Sequence, residues 1–176
     1  MNRARTPDND RVDPFEDVLD ANADYSRHFT DAHTPGKAAR GLAVVTCMDS
    51  RISPLEMLGL QPGDAKILRN AGARVTDDVL RTLVLAVHLL EVTRIMVVTH
   101  TDCRMMTVTD DEVHAEILAR GVDTRSLEFR TISDQSQTLR CDVQRIRSSP
   151  YLPAGTPVLG CRYDVHTGLI DVIVEP

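Results

Sequence analysis

Two short clusters in the sequence carry side chains able to do chemistry together. One reads Cys47-Met48-Asp49-Ser50-Arg51 and the other His100-Thr101-Asp102-Cys103. Thiolate and imidazole are favoured zinc ligands, and a catalytic zinc usually keeps three protein ligands and one exchangeable position. Cys47, His100 and Cys103 supply three. The fourth position is open to water, or to the carboxylate of Asp49, two residues beyond Cys47. Arg51 lies two residues further on and shares a side with Asp49 if this stretch is extended. Its planar guanidinium can clamp a carboxylate through two hydrogen bonds. Asp49 therefore has two available states, on the metal or held by Arg51. The second leaves room for a water whose pKa the metal lowers. A structural site would instead be closed by four protein ligands, a state that Asp49 on zinc would mimic. Without a metal, the three residues would be ordinary buried side chains and Asp49–Arg51 a structural ion pair.

Each cluster ends an apolar run, LAVVTC (42–47) and RIMVVTH (94–100). Such runs suit strands buried on both faces of a parallel sheet. Ligand sites in open parallel sheets collect at the carboxyl ends of strands, so adjacent strands would open both clusters into one crevice. A weaker strand is read at 64–70, followed by a tight turn through Asn70, Ala71 and Gly72. Helices are read at 53–59, with Pro54 in the first position, and at 76–92, 109–121 and 133–149. Strands at 156–164 and 169–175 flank a turn too short for a crossover, so the last strand joins antiparallel at an edge. The alternation predicts an α/β fold with a mostly parallel sheet flanked by helices. Phe15, Val18, Leu19, Tyr25 and Phe29 give a helix over 14–29 one apolar face, and 1–12 reads as flexible. No linker or repeat interrupts the chain, so 1–176 reads as a single domain.

The chain has 176 residues, of which 42% are hydrophobic and 3% aromatic, enough for one core built on aliphatic side chains. A net charge of −6 and the lack of a basic run exclude nucleic acid and anionic membrane as partners. No stretch is apolar enough to span a bilayer or serve as a secretory signal, so a cytoplasmic location is expected. Cys141 and Cys161 read as packing residues. His28, His33, His88, His114 and His166 read as surface or core histidines without a cluster partner; His88 is also weighed as part of a proton path. Asp102 either orients a ligand or caps the turn after it. Met105 and Met106 either line an apolar pocket or pack.

CMDSR, then RNAG (69–72), then HTDC resembles the ordered signature of the β-class carbonic anhydrases, in the short bacterial subtype that also includes carbonyl sulfide and carbon disulfide hydrolases. The match runs from about 42 to 103 and more weakly to the C-terminus. The resemblance implies one Zn2+ per chain on Cys47, His100 and Cys103, with Asp49 and Arg51 as the catalytic dyad and Asp49 able to join the metal. It implies a parallel four-stranded sheet with an antiparallel edge strand at the C-terminus. It also implies a helix at 14–29 that packs on a partner subunit, hence a homodimer or higher even oligomer. The activity implied is reversible hydration of carbon dioxide to bicarbonate. The alternatives are hydrolysis of carbonyl sulfide or carbon disulfide at the same site, or a zinc- and bicarbonate-binding module without turnover. One position departs from the pattern: Arg104 stands where the family usually has glycine. Either the backbone there is ordinary or the pocket wall differs, and the added charge could attract an anion such as bicarbonate.

Overall fold

The computed structural model describes residues 14–176, so the flexible start expected at 1–12 lies outside the described residues. The chain divides into two compact units, one ending at Thr34 and the other running from Pro35 to Pro176. The first carries one helix, α1 (Glu16–Arg27), none of whose residues is buried. The apolar face expected there is exposed throughout, at Phe15, Val18, Leu19, Tyr25 and Phe29.

The second unit runs β1 (Leu42–Cys47), α2 (Pro54–Met57), β2 (Ala65–Asn70), α3 (Asp77–Leu89), β3 (Arg94–His100), α4 (Asp110–Leu118), α5 (Gln135–Arg147), β4 (Val158–Tyr163) and β5 (Ile170–Val174). The sheet order is β2-β1-β3-β4-β5. The first four strands are parallel and β5 is antiparallel on β4, the architecture expected from the sequence. β1 and β3 are direct neighbours, in register from Leu42↔Arg94 to Thr46↔Val98. Their carboxyl ends, which carry the two chemical clusters, therefore emerge side by side.

The period-2 alternation of strand side chains divides the core between two faces. Ala43, Val45, Ile95, Val97 and Val158 join Val79, Leu83 and Ala86 of α3 and Leu139, Val143 and Ile146 of α5. Val44, Val98 and Cys161 form the core of the other face, with Met57, Leu58 and Ile67 packed against it. Cys161 packs as expected. Cys141 does not: α5 turns Leu139, Val143 and Ile146 inward, which leaves Cys141 exposed.

Asp110, in the first turn of α4, ties a distant loop. Its carboxylate accepts from the backbone N–H groups of Phe129, Arg130 and Thr131 and from the Thr131 hydroxyl at 2.6 Å. These bonds, the Thr131 hydroxyl foremost, hold its pKa at about 2, below the ordinary 3.8. A depressed carboxylate pKa stabilises the fold above the unfolded value and loses that contribution as pH falls through the folded value. Wild-type stability should therefore drop between the two values. Asp110→Asn should flatten that part of the pH–stability curve and cost about 1 kcal/mol at neutral pH, allowing for solvent screening. Urea denaturation at a series of pH values measures both effects.

Candidate metal centre

Cys47 closes β1, His100 closes β3, and Cys103 follows after a two-residue turn. All three are buried. The two sulfurs are 4.0 Å apart, and the three donor atoms lie within 4.8 Å of one another. Asp102 makes the turn by adopting the left-handed region, φ 54, which aspartate tolerates better than most residues.

His100 Nδ1 lies 2.7 Å from the carbonyl of Thr101. A carbonyl only accepts, so Nδ1 carries the hydrogen and Nε2 presents a lone pair. Nε2 is buried and has no hydrogen-bond partner, the only such side-chain atom among the described residues. Leaving a buried polar atom unsatisfied is costly. One cation near Nε2 and both sulfurs would satisfy it, and the sulfur–nitrogen donor set is the one zinc favours. The residues thus fit a zinc ion. The ring's orienting partner is Thr101, not Asp102 as one reading of the sequence had it. Gln135 of α5 adds a bond from Nε2 to the His100 carbonyl at 2.8 Å.

The thiols are primed unequally. A hydrogen bond from Cys103 and one from the Gly72 N–H at 3.4 Å outweigh burial and hold Cys47 well below the usual thiol range. The resulting thiolate, together with burial, pushes Cys103 up. A bound cation would reverse the second effect, since metal binding displaces thiol protons.

Asp49 and Arg51 meet as the spacing suggested, but through a turn rather than an extended strand: the Ile52 N–H bonds back to the Asp49 carbonyl. Arg51 Nε donates to Oδ1 at 3.0 Å and Nη2 to Oδ2 at 2.8 Å, while the Arg51 backbone N–H adds a third bond to Oδ1 at 2.9 Å. These bonds hold the Asp49 carboxyl well below the usual carboxylate range. Its Oδ2 lies 3.9 Å from His100 Nε2, beside the three donors. Arg51 Nη2 also reaches the carbonyl of Asp102, at 3.3 Å.

Arg69 and Arg74 support this arrangement without a role assigned from the sequence. Arg69 donates to the carbonyls of Cys47 at 2.9 Å and Asp49 at 2.6 Å, fixing the main chain that carries both side chains. It begins the RNAG run, which was the available signal. Gly72 sits at φ 78, and a Cβ there would come within 3.1 Å of Ile132 and 3.3 Å of Met105. The Asn70–Gly72 turn therefore does more than connect elements: it aims an N–H at Cys47. Arg74 anchors the turn to α5 through a 2.8 Å ion pair with Asp142.

Arg104 begins a 3-10 turn, Arg104–Met106, so its backbone is ordinary and glycine is not needed there. Its side chain is exposed, 3.7 Å from Glu116. Met105 packs with Cys47, Ile52, Ala73 and Cys103, whereas Met106 is exposed. His88 bonds the Tyr151 carbonyl, His114 the Thr124 hydroxyl and His28 the Asp24 carbonyl, and none of these joins the centre. His33 is exposed. His166 differs from expectation, because its Nε2 lies 2.6 Å from Asp102 Oδ2.

Residues 42–170 match the family model described as carbonic anhydrase. The chain is 34% identical over 158 residues to β-carbonic anhydrase 1 of Mycobacterium tuberculosis, covering 90% of this chain and 96% of that one. It is 32% identical over 152 residues to a carbon disulfide hydrolase of Acidianus, covering 73% and 74% of the two chains. Among solved structures, a carbonic anhydrase from Streptococcus mutans superposes with a TM-score of 0.86 at 38% identity, covering 93% of this chain and 99% of that one.

Proposed function

Because the chain belongs to the β-carbonic anhydrase family, we propose that it interconverts carbon dioxide and water with bicarbonate and a proton, at a zinc ion held by Cys47, His100 and Cys103. The observation that carries this reading is the buried, unpartnered Nε2 of His100 within 4.8 Å of both sulfurs. When bound, zinc would supply a Lewis acid able to make a water acidic enough to ionise near neutral pH. Arg51 clamps Asp49 through three hydrogen bonds and holds its carboxylate beside the three donors, outside the group they form. The Asp49 carboxylate then accepts a hydrogen bond from the attacking water and orients its lone pair toward the carbon of the substrate. Ile52, Ala73 and Met105 pack around the thiols and keep bulk water from the sulfur ligands. Zinc analysis combined with stopped-flow carbon dioxide hydration tests the assignment.

Carbon disulfide is a second candidate substrate, favoured by the Acidianus relative and by its attack at carbon in the same manner. Sulfide release from carbon disulfide at a higher kcat/KM than carbon dioxide hydration would select it.

The reading extends to a dimer. A helix of twelve residues without burial is marginal alone, and α1 exposes Val18, Leu19 and Tyr25. A second copy of the chain covers that face. Leu19→Asp should shift sedimentation velocity from dimer to monomer, whereas a monomeric wild type would contradict the assignment. The reducing cytoplasm, where the two thiols stay free for metal, is the compartment that suits the centre. No helix among the described residues is long and apolar enough to cross a membrane.

A further inference from the structure

The turn between β4 and β5 lies against the turn that carries the metal ligands. Two of the bonds joining them use backbone groups of the hairpin. The Thr101 N–H donates to the Tyr163 carbonyl at 2.9 Å, and the Val165 N–H donates to the Thr101 hydroxyl at 3.1 Å. The third joins side chains: His166 Nε2 meets Asp102 Oδ2 at 2.6 Å. A carboxylate only accepts, so Nε2 is the donor.

Asp102 is an unusual place to attach a brace. It stands between His100 and Cys103 in the left-handed region, φ 54, where no regular ladder fixes the orientation of its peptide groups. Its carbonyl accepts from Arg51 Nη2 at 3.3 Å, and the same nitrogen holds Asp49 Oδ2 at 2.8 Å. A continuous line of bonds therefore runs from His166 through Asp102 and Arg51 to Asp49. The far end is itself well built. Asp164 Oδ1 accepts from the backbone N–H groups of His166 at 2.8 Å and Thr167 at 3.3 Å, and the Gly168 N–H closes the turn onto the Asp164 carbonyl at 2.8 Å.

We propose that His166 is a positioning residue for the Asp49–Arg51 dyad, acting through Asp102. The inference rests on the reading of that dyad as the working pair of the enzyme. By holding the Asp102 side chain, His166 sets the carbonyl that receives Arg51, and Arg51 in turn keeps the Asp49 carboxylate aimed beside the metal ligands. Both members of the outer pair are exposed, with side-chain accessibilities of 69% for His166 and 58% for Asp102. An exposed pair of this kind adds little to global stability. Its loss should register at the dyad and not in the melting temperature.

The test uses the full zinc-loaded chain and two variants, His166→Ala and His166→Gln. In His166→Ala, zinc content and melting temperature should stay at wild-type values while kcat/KM falls about threefold to fivefold, the size of one such pair. His166→Gln, whose amide can donate to Asp102, should recover most of the loss. Introduced into an Arg51→Ala background, His166→Ala should have no further effect, because the line of bonds is already cut. A second readout needs neither metal nor turnover: in NMR of the zinc-free protein, the Arg51 Nε–H should exchange with water faster in His166→Ala than in wild type. Unchanged kcat/KM with unchanged Arg51 exchange would overturn the proposal. So would an equal loss in both backgrounds, or a loss confined to kcat and restored by imidazole buffer, which would make His166 a proton carrier instead. If wild-type protein fails to hydrate carbon dioxide but Arg51 still loses protection in His166→Ala, the activity assignment fails and the positioning role stands.

Discussion

Cys47→Ala is expected to yield a folded protein that retains little zinc and hydrates carbon dioxide no faster than buffer. Cys47 is the thiol more readily ionised, because Cys103 and the Gly72 N–H donate toward it. It is also fixed directly to the sheet, at the end of a strand buried almost throughout. Zinc binding in small four-ligand sites amounts to about 10–16 kcal/mol. Removing one of three protein ligands should therefore cost on the order of 3 kcal/mol, or at least about a hundredfold in affinity. The substitution also removes the acceptor of the Gly72 N–H, so the Asn70–Gly72 turn should loosen with it. Elemental analysis of the purified variant and its turnover measure the two consequences together. Full zinc occupancy in Cys47→Ala would remove this residue from the ligand set.

Asp49→Asn separates chemistry from metal binding. Asparagine keeps the shape of the side chain but not its charge, so Arg51 loses a three-bond anionic partner. Zinc content should remain full, because the three buried donors are untouched. kcat/KM should fall on the order of a hundredfold, the usual weight of a positioned proton acceptor. Hydrogen bonds from Arg51 hold the wild-type carboxyl well below the ordinary range. A lowered pKa means that Asp49 stays ionised as pH falls through neutrality. The acid limb of the wild-type pH–rate profile should therefore belong to another group and persist, at reduced amplitude, in Asp49→Asn. A variant with full zinc and undiminished turnover would make the ion pair merely structural.

Much of this centre was legible in the sequence because its chemistry is local. LAVVTC and RIMVVTH each end on a member of the Cys47–His100–Cys103 group, and two buried apolar runs of that kind read as neighbouring parallel strands, which β1 and β3 are. Asp49 and Arg51 are two residues apart, so their pairing survived even though the backbone between them turns. The remainder depends on partners brought together by the fold. Arg69 and Gln135 bind backbone carbonyls, for which sequence carries no pairing signal. His166 is 64 residues from Asp102, and only the β4–β5 hairpin brings them into contact. Cys141 sits inside a helical pattern yet is exposed, because helix 135–147 turns Leu139, Val143 and Ile146 toward the core. Arg104 in place of glycine left two readings open, and the ordinary backbone is the one found: the left-handed residue of that turn is Asp102. The apolar face at 14–29 was visible, and Val18, Leu19, Tyr25 and Phe29 on it are exposed.

The central claim is that three buried ligands and one clamped carboxylate make a carbon dioxide hydratase. It is tested most directly by stopped-flow hydration at mildly alkaline pH, on protein of measured zinc content. Rapid turnover that scales with bound zinc and collapses in zinc-loaded Asp49→Asn is the predicted result. Fully zinc-loaded wild-type protein that leaves the hydration rate at the buffer background would contradict it.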